Sequence, residues 1–165
     1  MSGVNAGARI ESIEWKDDFS EPRNKALDMS KTDWILSIDG DEVVPRKGRG
    51  EIIEMISTPE IAGWKVGTMN YRKGFRSLDI KTNTGEYEEG KDFKYYMESI
   101  KTRIFQKREG VRWDYPIHEL VDISIGKMGG RFAKAKIKVQ HFHKEESKEE
   151  LKKKANMYLK LCEKK

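Results

Sequence analysis

Cysteine is nearly absent: Cys162 is the only one in 165 residues, which excludes a disulfide framework and any zinc site built from cysteine ligands. Histidine is almost as scarce, with His118, His141 and His143 making up the full set. No apolar run approaches the roughly 20 residues that cross a bilayer. The opening "MSGVNAGARI" has no hydrophobic signal core, so the expectation is a cytoplasmic-type chain.

Charge, by contrast, is abundant. Charged residues make up 37% and hydrophobic residues 36%, the balance of a soluble chain whose length suits one domain with a modest core. The net charge is +5, from 33 basic and 28 acidic residues, with the excess in Lys101 to Arg108, Lys127 to Lys138 and Lys152 to Lys165. Such an excess attracts polyanions: nucleic acid, an anionic membrane face or diphosphates. It is interleaved with glutamate and accompanied by neither zinc-finger spacing nor an RNP-type aromatic signature, so nucleic-acid binding is the minor reading. Peripheral contact of the basic C-terminus with a membrane surface stays open.

The first nine residues are small and flexible in composition, and residues 10–165 read as a single domain. "ARIESIEW" (8–15) alternates as a short strand does. A helix is predicted from Glu21 to Ser30, with Ser20 as N-cap and Pro22 in the first turn. "DWILSID" (33–39) is a nearly continuous apolar run, which suggests a parallel strand buried on both faces. Strand, helix and strand then make a βαβ unit. Further on, 49–58 reads as a helix, 62–73 as a strand and 74–98 as a loop or flap. Residues 99–108, 111–115, 117–124 and 133–144 read as strands. A closing helix capped by Ser147 carries Leu151, Ala155, Tyr158, Leu159 and Cys162 as its apolar stripe.

Three short segments carry candidate chemistry. Asp39-Gly40-Asp41-Glu42 lies just beyond the carboxyl end of the 33–39 run, where open α/β sheets place their ligands. Two aspartates about a glycine suit a divalent cation shared with a phosphorylated ligand, and equally suit a plain turn. In "YPIHEL", His118 and Glu119 are adjacent, so one can act as a general base while the other orients it or binds substrate. In "VQHFHK", His141 and His143 are two apart, which on a strand sets both imidazoles on one side, facing a metal or a phosphate.

Taken in order, these segments resemble glycosyltransferase family 2. "EWKDDFSEPRNKALDMSKTDWILSIDGDEVV" is similar to that family's "W-x-D-D-F-S-x-x-R-N-x-A-L" stretch and its strand ending "D-x-D-E". "TRIFQKREGVRWDYPIHELV" resembles its "R-x-F" strand and "G-x-(I/V)-H-E" segment. "VQHFHKEESKEELKKKANMYLKL" resembles its "I-x-H-x-H" strand and "K-x-x-x-N-x-x-L" helix. The likeness runs from about residue 10 to 161.

The resemblance implies an α/β fold of GT-A type: a mixed sheet flanked by helices, with a nucleotide-sugar and metal part over about 10–72, an acceptor-side part over about 73–145 and a C-terminal helix over 146–165. It implies Mn²⁺ or Mg²⁺ held by Asp39 and Asp41, with His143, and less surely His141, approaching the metal or diphosphate. Arg23, Asn24, Asp39 and Trp113 would bind substrate, and Glu119 or His118 would be the catalytic base. The reaction implied is inverting transfer of a sugar from a nucleoside-diphosphate sugar to a hydroxyl acceptor. Family members begin with a strand–helix segment and an acidic "D-x-G-S-x-D-G-T"-like stretch that this sequence lacks. The expected fold is therefore incomplete at its N-terminus, and self-association or an unusual partner is expected to cover the exposed apolar surface.

Overall fold

The computed structural model describes residues 7–71, 79–143 and 147–163. Six strands form one mixed sheet: β1 (Trp34–Leu36), β2 (Glu42–Val43), β3 (Gly63–Tyr71), β4 (Ile80–Thr82), β5 (Tyr95–Gln106) and β6 (Phe132–Phe142). Their order is β1-β5-β3-β6-β2, with β4 also paired to β5. Only β3 and β6 run parallel; every other pair is antiparallel. Four helices flank the sheet: α1 (Ser20–Met29), α2 (Arg49–Ile56), α3 (Asp122–Lys127) and α4 (Lys148–Glu163). This is the α/β class expected from the sequence.

The long strands explain the layering. Successive residues of a strand face opposite sides, so Ile104 and Phe105 on β5 enter different cores. Phe105 packs with Leu27 of α1, Val111, Val121 and Ile125 of α3. Ile104 packs with Met55 of α2, Val66, Ile137 and Val139. Gly48, just ahead of α2, sits where a β-carbon would come within 2.1 Å of the Ile137 side chain, so this close approach requires glycine. A third cluster, Met69, Tyr71, Tyr87 and Tyr96, closes the far end of the sheet.

That tyrosine cluster gives the fold a pH limit. Burial, with neighbouring tyrosines and glutamates adding to it, pushes the Tyr71 and Tyr87 phenols up to about 12. In the unfolded chain they ionise near pH ~10. Between these values the unfolded state holds fewer protons than the folded one, so stability is lost as pH rises through that window. Urea midpoints should fall as pH rises above about 10, and Tyr71→Phe should flatten the decline.

Several expected elements are replaced. Residues 8–15 form no strand, and Ile10 is 62% exposed; Arg9, Ile10, Glu11 and Ile13 instead line a groove along α1. The βαβ unit therefore does not form. The 33–39 run shortens to β1, and it pairs antiparallel with β5 at the sheet edge. Its apolar residues do face both sides: Trp34 and Ile38 join the α2 core, and Ile35 joins the Phe105 core. The flap region contains β4 and the start of β5, while 74–78 lie outside the described residues.

Residues 111–115 and 117–124 are a loop and the start of α3, not two strands. Val121 and Ile125 are spaced for one helix face, and Gly129 (φ +72°) ends the helix. The Gly129 N–H donates to the Gly126 carbonyl and the Gly130 N–H to the Ile125 carbonyl, a Schellman closure. At α1, Asp18 does the capping expected of Ser20: its carboxylate accepts from the Ser20 N–H and hydroxyl, both at 2.7 Å. At α4, Ser147 and Glu150 form a reciprocal capping box. The inward stripe of α4 is Met157, Tyr158 and Leu161, whereas Leu151, Leu159 and Cys162 face solvent. Among the described residues no helix is long and apolar enough to cross a membrane.

Candidate active site

A cavity of about 670 Å³ opens where the β1–β2 turn, the 114–120 loop and α4 meet. Its lining includes Arg23, Asp39, Asp41, Trp113, His118, Glu119 and His141, with Tyr158 and Lys154 contributed by α4. With β5 residues 100–103 also lining it, residues from six separate stretches of sequence reach one space.

The acidic turn leaves β1 and returns as β2. Asp39 faces α1: Arg23 Nη2 donates to its Oδ1 at 2.9 Å, and Arg23 Nε donates to Glu119 Oε1 at 2.6 Å. Arg23 also reaches Ser37 Oγ at 3.2 Å and stacks 5.0 Å from the Trp113 ring. Burial alone would lower the Arg23 pKa, but the Asp39 and Glu119 charges and hydrogen bonds raise it. Arg23 is therefore a permanent cation bridging the acidic turn and the His118–Glu119 loop.

Asn24 has a different task from the one expected. Its side-chain N–H donates to the Trp113 carbonyl at 3.0 Å, and its Oδ1 accepts from the Trp113 N–H at 2.9 Å. The whole amide is engaged in fastening α1 to the loop. Trp113 itself packs edge-on against Phe105 while bordering the cavity.

The 114–120 loop is closed by a pair of backbone hydrogen bonds between Asp114 and Leu120, both 2.9 Å, and anchored by buried Ile117. Within it, Tyr115 (φ +74°) and His118 (φ +55°) adopt the left-handed conformation that side chains disfavour. Such strain is held in place by the surrounding structure and clusters at functional sites. His118 is exposed at the cavity; Glu119 is half-buried against Arg23.

Asp41 lies on the other side of the turn. Its Oδ2 is 3.2 Å from His141 Nε2, and the His143 ring is 3.8 Å from that of His141. Partial burial works to raise the Asp41 carboxyl, but the His141 hydrogen bond and the His141 and His143 charges hold it below the usual carboxylate range. Strand register builds this pair, because β6 places His141 opposite Asn70 on one side and Glu42, next to Asp41, on the other.

Asn70 decides which nitrogen of His141 carries a proton. Its amide N–H groups point toward the Thr68 carbonyl, the Met97 carbonyl and Ser99 Oγ, at 3.0 to 3.2 Å. Its oxygen therefore faces His141 Nδ1 at 2.8 Å, and Nδ1–H donates to it. That leaves the Nε2 lone pair facing a carboxylate oxygen, an arrangement that calls for a cation: a proton on Nε2, or a metal ion bound by both atoms. A histidine held through its second nitrogen is the usual support of a metal ligand. Cis ligands at about 2.1 Å from an ion lie about 3 Å apart, close to the Asp41–His141 spacing.

The donor set fits a hard divalent ion that draws its other ligands from water or phosphate. Among the described residues no three His, Cys, Asp or Glu side chains form a protein-only cage. Asp39, expected as a ligand beside Asp41, is engaged by Arg23 instead; His141, the weaker expectation of the two histidines, has the supported geometry. Were the pair to hold Mn²⁺, Asn70→Leu should leave the fold intact and weaken that binding by about 10–100-fold, the usual effect of losing an outer partner. Electron paramagnetic resonance of free Mn²⁺ checks this directly.

Asn70 is not among the residues the sequence singles out, because its role depends on strand register. No family model matches the chain. Over 122 residues, 74% of the chain, it is 30% identical to the TPR repeat-containing protein Synpcc7942_0270 of Synechococcus elongatus, of which the match covers 25%. Over 46 residues, 28% of the chain, it is 35% identical to the SPbeta prophage-derived glycosyltransferase SunS of Bacillus subtilis and to glycosyltransferase SunS of Bacillus phage SPbeta, with 11% of each covered. The chain thus spans about a quarter or less of the curated relatives it matches, and part of it is similar to a glycosyltransferase.

Proposed function

We propose that the cavity binds the diphosphate of a nucleoside-diphosphate sugar and that the chain carries the metal and acceptor side of a glycosyltransferase. The observation that carries this reading is the Asp41–His141 pair, backed by Asn70, in the same cavity as Glu119 and His118. The short similarity to two glycosyltransferases supports it.

Asp41 and His141 would hold Mn²⁺ or Mg²⁺, with His143 alongside. When bound, such an ion neutralises charge on the departing diphosphate. Lys101 and Lys154 add positive charge to the same cavity. Glu119 or His118 takes the proton from the acceptor hydroxyl as its oxygen bonds to the anomeric carbon and the carbon–phosphate-oxygen bond breaks. Arg23 holds Glu119 and Asp39 in place. Attack from the side opposite the leaving diphosphate inverts the anomeric centre.

A second reading, a binding or assembly module without turnover, is favoured by the longer match to a protein named for its TPR repeats. Release of UDP or GDP from a panel of UDP- and GDP-sugars separates the two. Mn²⁺-dependent release that Glu119→Gln or His118→Gln abolishes supports catalysis. Mn²⁺-dependent binding without release from any donor supports the module.

A further inference from the structure

Beneath the acidic turn lies an ion pair that takes no part in the chemistry above. Arg103 of β5 and Glu42 of β2 are both almost fully buried, at 5% and 3% side-chain exposure. Arg103 donates from both terminal nitrogens to the two Glu42 carboxylate oxygens. Its Nε and Nη2 also reach Thr68 Oγ1 at 3.2 and 3.0 Å, and Nη1 reaches the Ser37 carbonyl at 3.3 Å. Glu42 Oε2 accepts one more hydrogen bond, from the Asp39 N–H at 2.9 Å. The Asp39 carbonyl in turn accepts from the Glu42 N–H at 3.0 Å.

A buried ion pair is a poor device for stability alone, since apolar residues of equal volume often serve as well or better. What this pair does that apolar residues cannot is hold the backbone at two points of the Ser37–Glu42 turn. The guanidinium fixes the Ser37 carbonyl, and the carboxylate fixes the Asp39 N–H. Between and beside these points the turn presents Asp39 to Arg23 and Asp41 to His141. Gly40 lies at the apex, with no described atom within 4 Å of where a β-carbon would be, while the buried pair holds the turn from below.

We propose that Glu42 and Arg103 are positioning residues that set the Asp41 carboxylate for cation binding beside His141. The proposal deepens the metal-site reading and rests on it for its functional meaning.

The test replaces the pair together, Glu42→Leu with Arg103→Met, which removes both charges without stranding either one in the interior. Circular dichroism and thermal unfolding establish that the double variant folds. Electron paramagnetic resonance then measures Mn²⁺ alone, and amide hydrogen exchange is followed at Asp39–Asp41 against Met69–Tyr71. The expected result is a folded protein with Mn²⁺ affinity down by about tenfold or more, as for lost outer partners, and faster exchange confined to the turn. Thr68→Val, which removes one acceptor of Arg103 and keeps the pair, should shift both readouts in the same direction by less. It gives the answer should the double variant fail to fold.

Folded variants with wild-type Mn²⁺ affinity and wild-type turn protection would overturn the proposal. A wild-type protein that binds no Mn²⁺ would instead refute the metal reading. Turn exchange would then separate the two failures: acceleration in the variants shows that the pair holds the turn for a purpose other than a cation, and unchanged protection overturns the positioning role itself.

Discussion

Arg103→Ala is expected to cost about 3–5 kcal/mol of folding stability, enough to bring a domain of this size close to unfolding. The cost comes chiefly from what is left behind. Glu42, 3% exposed, would keep a charge in the interior with its forked partner gone, and the Ser37 carbonyl and Thr68 hydroxyl would lose a donor as well. Exposed pairs serve as the contrast. Arg112–Asp28, with both side chains about half exposed, should contribute less than about 1 kcal/mol. Urea unfolding of Arg103→Ala beside Arg112→Ala checks both. Similar small losses in the two variants would show that the Arg103 pair is solvated and not part of the interior.

Asp41→Ala should do the opposite: little to stability, and nearly everything to binding. The Asp41 side chain is 52% exposed and its hydrogen bond runs to His141, so its removal should change folding by no more than about 0.5 kcal/mol. Metal-dependent binding of a nucleoside diphosphate should nevertheless fall by about 100-fold or more, because the carboxylate is the only anionic ligand in the proposed pair. Asp39→Ala should affect metal binding less, and act instead by freeing Arg23 from one of its two acidic partners. Acid should weaken metal binding in the wild type, since both ligands must be deprotonated.

These expectations show which parts of the molecule are legible in a linear sequence. Helices α1, α2 and α4 and strands β3, β5 and β6 follow from periodicity and capping residues, and they lie close to where those signals place them. The failures share a cause. "ARIESIEW" alternates as a strand does, but no strand edge pairs with it, and alternation alone cannot supply one. "IHELVDISIG" is rich in β-branched residues, yet Val121 and Ile125 need one shared face toward Phe105, and the Gly129-Gly130 pair closes a helix there.

The site divides in the same way. Asp39, Asp41, His118, Glu119, His141 and His143 are conspicuous because acids at a strand tip and paired histidines suggest chemistry on their own. The supporting residues show less: Asn70 is not conspicuous, and Arg103 stands in the "R-x-F" strand with no sign of its partner. Asn70 acts across 71 positions of sequence and Arg103 across 61, and both depend on the register of β6 against β3 and β2 and of β5 against β3. A shift of one residue in any of those pairings would turn the side chain to the other face. Arg23 was placed near the ligand, but its bridge between Asp39 and Glu119 required the 114–120 loop to fold back on α1.

The most direct test of the account is a calorimetric titration of UDP and of GDP into the purified protein, with and without Mn²⁺, beside Asp41→Ala. Binding should require Mn²⁺ and be lost in Asp41→Ala. A well-folded wild-type protein that binds neither diphosphate in the presence of Mn²⁺, or binds one equally well without the metal, would contradict it.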